Sequence, residues 1–204
     1  MSRPQLAHGS LTSLMAALTL LTTGCAQQAD DVRGGADVCR ADGGWSVRKR
    51  AAWLRPALSF PGGAADEDEA VVIGAHTGGP LCAPISVRVE FWAATVTTAG
   101  TDLKSVLRVR LTTDGSRPWT VGLPTSLAPE ERGDCTGVLM AAYPGAPLTR
   151  AELPDLSTPL TPSSTTADTP FGTTRVAARH LLPPATACGT SGGTTPNPWG
   201  GDHP

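Results

Sequence analysis

From Ile85 to Thr97 apolar and polar positions take turns: Ile85, Val87, Val89, Phe91 and Ala93 alternate with Ser86, Arg88, Glu90, Trp92 and Ala94. A period of two belongs to a strand with one face turned to the core. Leu107, Val109 and Leu111 repeat it against Arg108 and Arg110, and Trp119, Val121 and Leu123 take it up again after Asp114-Gly115. Because Asp-Gly is a hairpin signal, the three segments predict a meander with one apolar and one polar face. Val71–Ala75, Val138–Tyr143 and Arg175–Leu182 are further strand candidates, and Trp45–Arg50 is a weaker one.

Helical patterning is poor. Pro56 cuts the stretch Ala51–Leu58, and the cap-like Thr149-Arg-Ala-Glu152 runs straight into Pro154. Residues 144–173, rich in Pro, Thr and Ser, predict a long loop. Residues 61–69, with the acidic run Asp66-Glu67-Asp68-Glu69, predict a second, solvated one. Six or seven short strands joined by long loops favour a mainly β, single antiparallel β-sandwich-like domain over a barrel.

The chain's start follows different rules. Arg3 precedes an uncharged apolar run from Leu11 to Thr23, about 12 residues long, where a membrane-spanning helix needs about 20. That run ends in Leu21-Thr22-Thr23-Gly24-Cys25, which resembles the lipobox of bacterial lipoproteins, with Thr22 where an aliphatic residue is usual. The resemblance implies that residues 1–24 are a signal peptide cut before Cys25. It further implies that the Cys25 thiol carries diacylglycerol, often with an N-acyl group such as palmitate. The protein would then be secreted and held extracytoplasmically at the cell membrane by lipid. Residues 25–38, small and acidic, predict a flexible tether, residues 39–188 the folded domain, and the Gly/Thr/Pro-rich 189–204 a disordered tail.

Composition narrows the picture. Taking 24 residues and one arginine from a 204-residue chain with 16 basic and 18 acidic residues leaves 180 residues, 15 basic and 18 acidic. A net charge near −3 is wrong for a nucleic-acid surface. Glycine (23) and proline (19) argue for turns and irregular segments. Lysine occurs only at 49 and 104 and asparagine only at 197, a high-GC signature. With the leader and Cys25 it resembles small secreted lipoproteins of actinobacteria. Setting Cys25 aside leaves Cys39, Cys82, Cys135 and Cys188, an even set that predicts two disulfides in an exported chain. Three pairings are possible, and Cys39–Cys82 with Cys135–Cys188 has the shorter loops. No two cysteines have the spacing of a metal knuckle.

Catalytic signatures are sparse: no HExxH or P-loop is present, and no GxSxG stands between a strand and a helix as a nucleophile elbow requires. Ser46-Val47-Arg48-Lys49 matches SxxK without its partner motifs. His76 and His180 stand on separate segments, which favours surface or hydrogen-bonded core roles over a metal site. If 85–97 pairs with 105–113, Arg88, Glu90, Trp92, Arg108 and Arg110 share one side of one sheet. Such a face suits stacking on sugar rings or holding an anionic group. The competing expectation is that a loop covers Trp92 while Arg–Glu cross-strand pairs solubilise the face. Trp119 falls in the apolar phase and is expected in the core, and Trp45 and Trp53 are expected to pack. No cofactor, metal or catalytic residue is expected. The reading is a membrane-anchored, non-catalytic binding or interaction module of the cell envelope, with a protein or glycan as ligand. The alternative is a cell-envelope hydrolase acting on wall or polysaccharide substrates, which would need paired carboxylates in a cleft.

Overall fold

The alternating run folds as β3 (Ile85–Thr97), an inner strand of a four-stranded antiparallel sheet. β3 pairs on one side with β4 (Gly100–Thr113) and on the other with β6 (Thr136–Pro144), which in turn pairs with β7 (Ala178–Leu182). A second antiparallel sheet is made of short strands: β1 (Leu58–Ser59), β2 (Val71–Ile73) and β5 (Trp119–Val121), with β2 in the middle. The protein is therefore mainly β, with two antiparallel sheets and two disulfides, Cys39–Cys82 and Cys135–Cys188. This computed structural model describes residues 39–61 and 70–188, all within one compact unit. The leader 1–24, Cys25, the tether 25–38, the acidic run 66–69 and the tail 189–204 lie outside the described residues. Among the described residues, no helix is long and apolar enough to cross a membrane.

The main core joins the sheets. Val71, Ile73 and Val121 of the small sheet share one buried cluster with Val87, Val89, Phe91, Val138 and Met140 of the large one. Fully burying each such side chain contributes about 1.5–3 kcal/mol. The large sheet has a second buried face. Trp92, Leu139, Ala141 and Tyr143 pack under Leu148, Leu153, Phe171 and Val176, and Ala94, Val96 and Leu181 under Leu156 and Leu160. All six covering residues lie in the segment 145–177, here called the strap. Its loop character follows the sequence reading; its burial of the β3, β6 and β7 part of this sheet face does not. Gly100 shows how closely the strap approaches. Its φ is +139°, and a Cβ there would stand 2.7 Å from the Leu156 carbonyl oxygen, so any side chain at 100 would lift the strap.

Three expectations are corrected. Residues 45–50 do not form a strand. Ser46 caps the helix α1 (Val47–Leu54), its Oγ accepting from the Lys49 amide, and Ala51 and Leu54 turn into the core. As the sequence implied, α-helix does not continue through Pro56: α1 ends at Leu54, and Pro56 sits at the start of the 3₁₀ segment Arg55–Ala57, where its missing N–H costs nothing. The meander also breaks after β4. Asp114-Gly115 does turn, but β5 leaves for the small sheet and pairs with β2. The turn is pinned by the His76 and Leu81 amides, which donate to the carbonyls of Gly115 and Asp114. At Gly115, with φ +82°, a Cβ would fall 2.8 Å from the Trp53 ring. Trp119, expected in the core, is 45% exposed. It shares the phase of buried Val121 but stands at the end of a three-residue edge strand.

Candidate functional site

Strand register brings all five residues of the expected binding face together. Glu90 lies opposite Arg108 and Arg88 opposite Arg110, with Trp92 two residues further along β3. Of the two expectations for this face, the loop-covered one describes its centre. Glu90 is 0% and Trp92 2% exposed, because the strap lies across this side of the sheet. The Phe171 ring tilts against Trp92 with centroids 5.9 Å apart. Alternation named the side of the sheet correctly, but the strap removes Glu90 and Trp92 from any ligand. Trp92 is a packing residue.

Glu90 is the most heavily bonded acid on the sheet. Its Oε1 accepts from Ser105 Oγ at 2.8 Å and Arg108 Nη2 at 2.5 Å, and its Oε2 accepts from Tyr143 Oη at 2.6 Å. Burial pushes this carboxyl up, but the bonds from Arg108, Tyr143 and Ser105 outweigh burial and hold its pKa below the ordinary value. Across the same bond, burial first and the Glu90 carboxylate second push Tyr143 up to about 12. Tyr143 is the only tyrosine in the chain, so its titration is directly readable. Its ultraviolet tyrosinate signal should rise near pH 12 in the folded chain and near pH ~10 once urea unfolds it. In Glu90→Gln the folded midpoint should drop part of the way toward ~10, since burial remains. A raised folded pKa means that the stabilisation is complete below pH ~10 and is lost as pH climbs toward about 12. A folded midpoint at the unfolded value would contradict the bond.

Arg175 fastens the strap above this cluster. Its Nε and Nη2 donate to Glu152 Oε1 and Oε2, each at 2.6 Å, and it also donates to the carbonyls of Ala146 and Pro147. The guanidinium lies 5.5 Å from the Tyr143 ring centroid. Glu152 in turn accepts from the Thr149 amide and hydroxyl, closing the capping box of the 3₁₀ turn Arg150–Glu152. The Arg175 bonds, and next the Thr149 amide, bring Glu152 down to about 2. The cap-like Thr149–Glu152 motif is thus real, but it starts a single 3₁₀ turn in the strap and no α-helix.

The other residues singled out from the sequence also hold structural posts. Ser46 is a helix cap, and the Lys49 ammonium sits 4.9 Å from the Trp45 ring centroid, so the SxxK match makes no nucleophile. Trp45 is half-buried, with Arg40 5.2 Å from the same ring, and Trp53 is buried and stacked on His76 at 4.5 Å. His76 Nε2 lies 2.9 Å from the Trp53 carbonyl oxygen. His180 stacks on Phe60, and burial lowers its pKa. Among the described residues no three His, Cys, Asp or Glu side chains gather as a metal site would require.

Two open surface cavities are lined by described residues. The larger, about 880 Å³, lies between the β3–β4 hairpin and the strap and holds Asp102, Asp155 and Arg150. Both acids are exposed, and Asp155 Oδ1 already accepts from the Ser157 amide. A general acid needs a carboxyl that burial keeps protonated, and this cleft buries neither one. The smaller cavity, about 510 Å³, lies on the opposite face of the sheet and is lined by Arg132, Lys104 and Ser126, none of which the sequence patterning singled out. Arg132 carries no motif. Tyr143 was legible in principle, because a lone tyrosine ending a wholly apolar strand needs a buried partner for its hydroxyl. Comparison with known protein families, with curated proteins and with solved structures finds no match.

Proposed function

We propose that this chain is an extracytoplasmic lipoprotein, held at the cell membrane by acyl chains on Cys25, whose β domain binds an envelope protein or glycan and performs no catalysis. The observation that carries the reading is the cysteine count. Cys39, Cys82, Cys135 and Cys188 close two disulfides, and the fifth cysteine of the chain is Cys25, directly behind the apolar run. Two disulfides support an oxidising compartment, and a cysteine left over at the end of a leader-like segment supports lipid attachment.

The non-catalytic part rests on where the carboxylates are spent. Glu90 and Glu152 are held charged by arginines, and the acids of the larger cleft are exposed. A hydrolase of wall polysaccharide needs two carboxyls of unlike pKa on either side of a scissile bond.

Mass spectrometry of the protein purified from its host membrane tests the anchor. The expected N-terminal peptide begins at Cys25 and carries the mass of a diacylglyceryl group. Cys25→Ala should leave the leader attached and the lipid absent. An unmodified Cys25 in a membrane-extracted mature chain would remove the anchor from the proposal.

A further inference from the structure

The smaller cavity holds Arg132, a cation without a partner among the described residues. Arg132 makes no hydrogen bond and no ion pair among the described residues, and its Nη1 is shut off from solvent without a partner. Burial lowers its pKa, but a guanidinium does not give up its proton in a protein, so the charge stays in a setting that penalises it. The arginines with structural tasks are placed differently. Arg175 is bonded to Glu152 and two carbonyls, and Arg108 to Glu90.

The surroundings are those of an anion site. Ala93 and Thr95 line the cavity and alternate with Trp92, so it opens on the side of the sheet away from the strap. Lys104 adds a second positive charge against the single acid Glu131, and the Ser126 hydroxyl has no partner among the described residues. Ser105 is already committed to Glu90, and the Thr95 and Thr136 hydroxyls lie 3.4 Å from each other. Val106, 37% exposed at the irregularity in the β3–β4 pairing, and buried Leu127 supply an apolar wall.

The Arg132 loop is also held in place before any ligand arrives. The Glu131 and Arg132 amides donate to the Ala128 carbonyl, and the Asp134 carbonyl accepts from Ala185 and Thr186. The Cys135–Cys188 disulfide closes the loop's far end. A pocket rigid before binding loses less entropy on binding.

We propose that this cavity binds an oxyanion, the carboxylate or phosphate group of a ligand with an apolar portion, through Arg132 with Lys104 and Ser126 in support. A guanidinium fork matches both groups, and each resolves the unpaired charge. The inference gives a ligand class to the binding module proposed above and does not depend on the lipid at Cys25.

The test is thermal unfolding of the purified full chain at constant ionic strength, with chloride replaced stepwise by phosphate in one arm and acetate in the other. At least one of the two is expected to raise Tm in a saturable way, and the stronger one identifies the group. Arg132→Met should abolish that rise, and Lys104→Gln should weaken apparent affinity roughly 10-fold, the scale of one charge-assisted contact. In chloride alone Arg132→Met should melt about 2–4 °C above the parent chain, because a part-buried guanidinium whose Nη1 is shut off without a partner among the described residues has been replaced by an apolar group. A response that survives Arg132→Met, a parent chain indifferent to both anions, or an Arg132→Met chain that melts lower in chloride would overturn the site. Each of these results leaves the Cys25 reading untouched, since lipid attachment is scored on a different peptide.

Discussion

Glu90→Ala is expected to destabilise the folded chain by about 3 kcal/mol, the largest effect of any single substitution on the strap-covered face. The carboxylate serves three donors at once, and the consequences for them differ. The Arg108 side chain is 38% exposed, so it recovers water and loses little. Tyr143 is wholly buried beneath the strap, and an unpaired hydroxyl there costs about 1–3 kcal/mol. Removing the carboxylate also empties space beneath the strap, which adds a cavity penalty. For a folded unit of this size the fall in Tm should be roughly 6–12 °C. Glu90→Gln keeps an acceptor for Tyr143 and should cost about half as much. The double variant Glu90→Leu/Tyr143→Phe should recover most of the loss, since removing both partners strands neither. Urea unfolding of the four chains distinguishes these outcomes. A Glu90→Ala chain as stable as the parent would mean that the cluster contributes nothing to holding the strap.

The same cluster marks the boundary of what patterning can tell. Alternation along β3 assigned Arg88, Glu90 and Trp92 to one side of the sheet, and register confirms it. Periodicity fixes sidedness because successive Cβ atoms point to opposite faces, but it is silent on what covers a face. Here the cover is an irregular segment whose Leu148, Leu153, Phe171 and Val176 are scattered among Pro, Thr and Ser with no period at all. β6 was easy to find for the opposite reason: Val138–Tyr143 is apolar throughout because core lies on both of its faces. Trp119 failed because strand phase does not report how near a strand's end lies to the rim. α1 failed because Ser46 and Lys49 were weighed as chemistry while Ser46 served as a cap. The cysteine pairing was legible from loop lengths. The Arg132 cavity was not, because its lining comes from β3, β4, β6 and the 126–133 loop, which only the folded register brings together.

Breaking both disulfides is expected to remove about 4–8 kcal/mol, most of the stability a domain of this size normally has. The bridges span 43 and 53 residues, and loop entropy alone sets an upper value of about 4 kcal/mol for each. The architecture depends on them. The small sheet has strands of two, three and three residues, and the segment before α1 joins a sheet-side neighbour by one short Arg40–Leu81 bridge beside Cys39 and Cys82, helped by Trp45 against the core and Asp42 on Arg50. Guanidinium unfolding with and without a thiol reductant should therefore show a large fall in midpoint, and an unchanged midpoint would refute the dependence. The two bridges should also separate by function. Cys135→Ser/Cys188→Ser releases the far end of the Arg132 loop and should blunt the anion response together with stability. Cys39→Ser/Cys82→Ser, at a bridge outside the cavity lining, should cost a similar amount of stability and leave that response intact. If the reduced chain does unfold, the protein can work only where its thiols stay oxidised, a requirement independent of any leader.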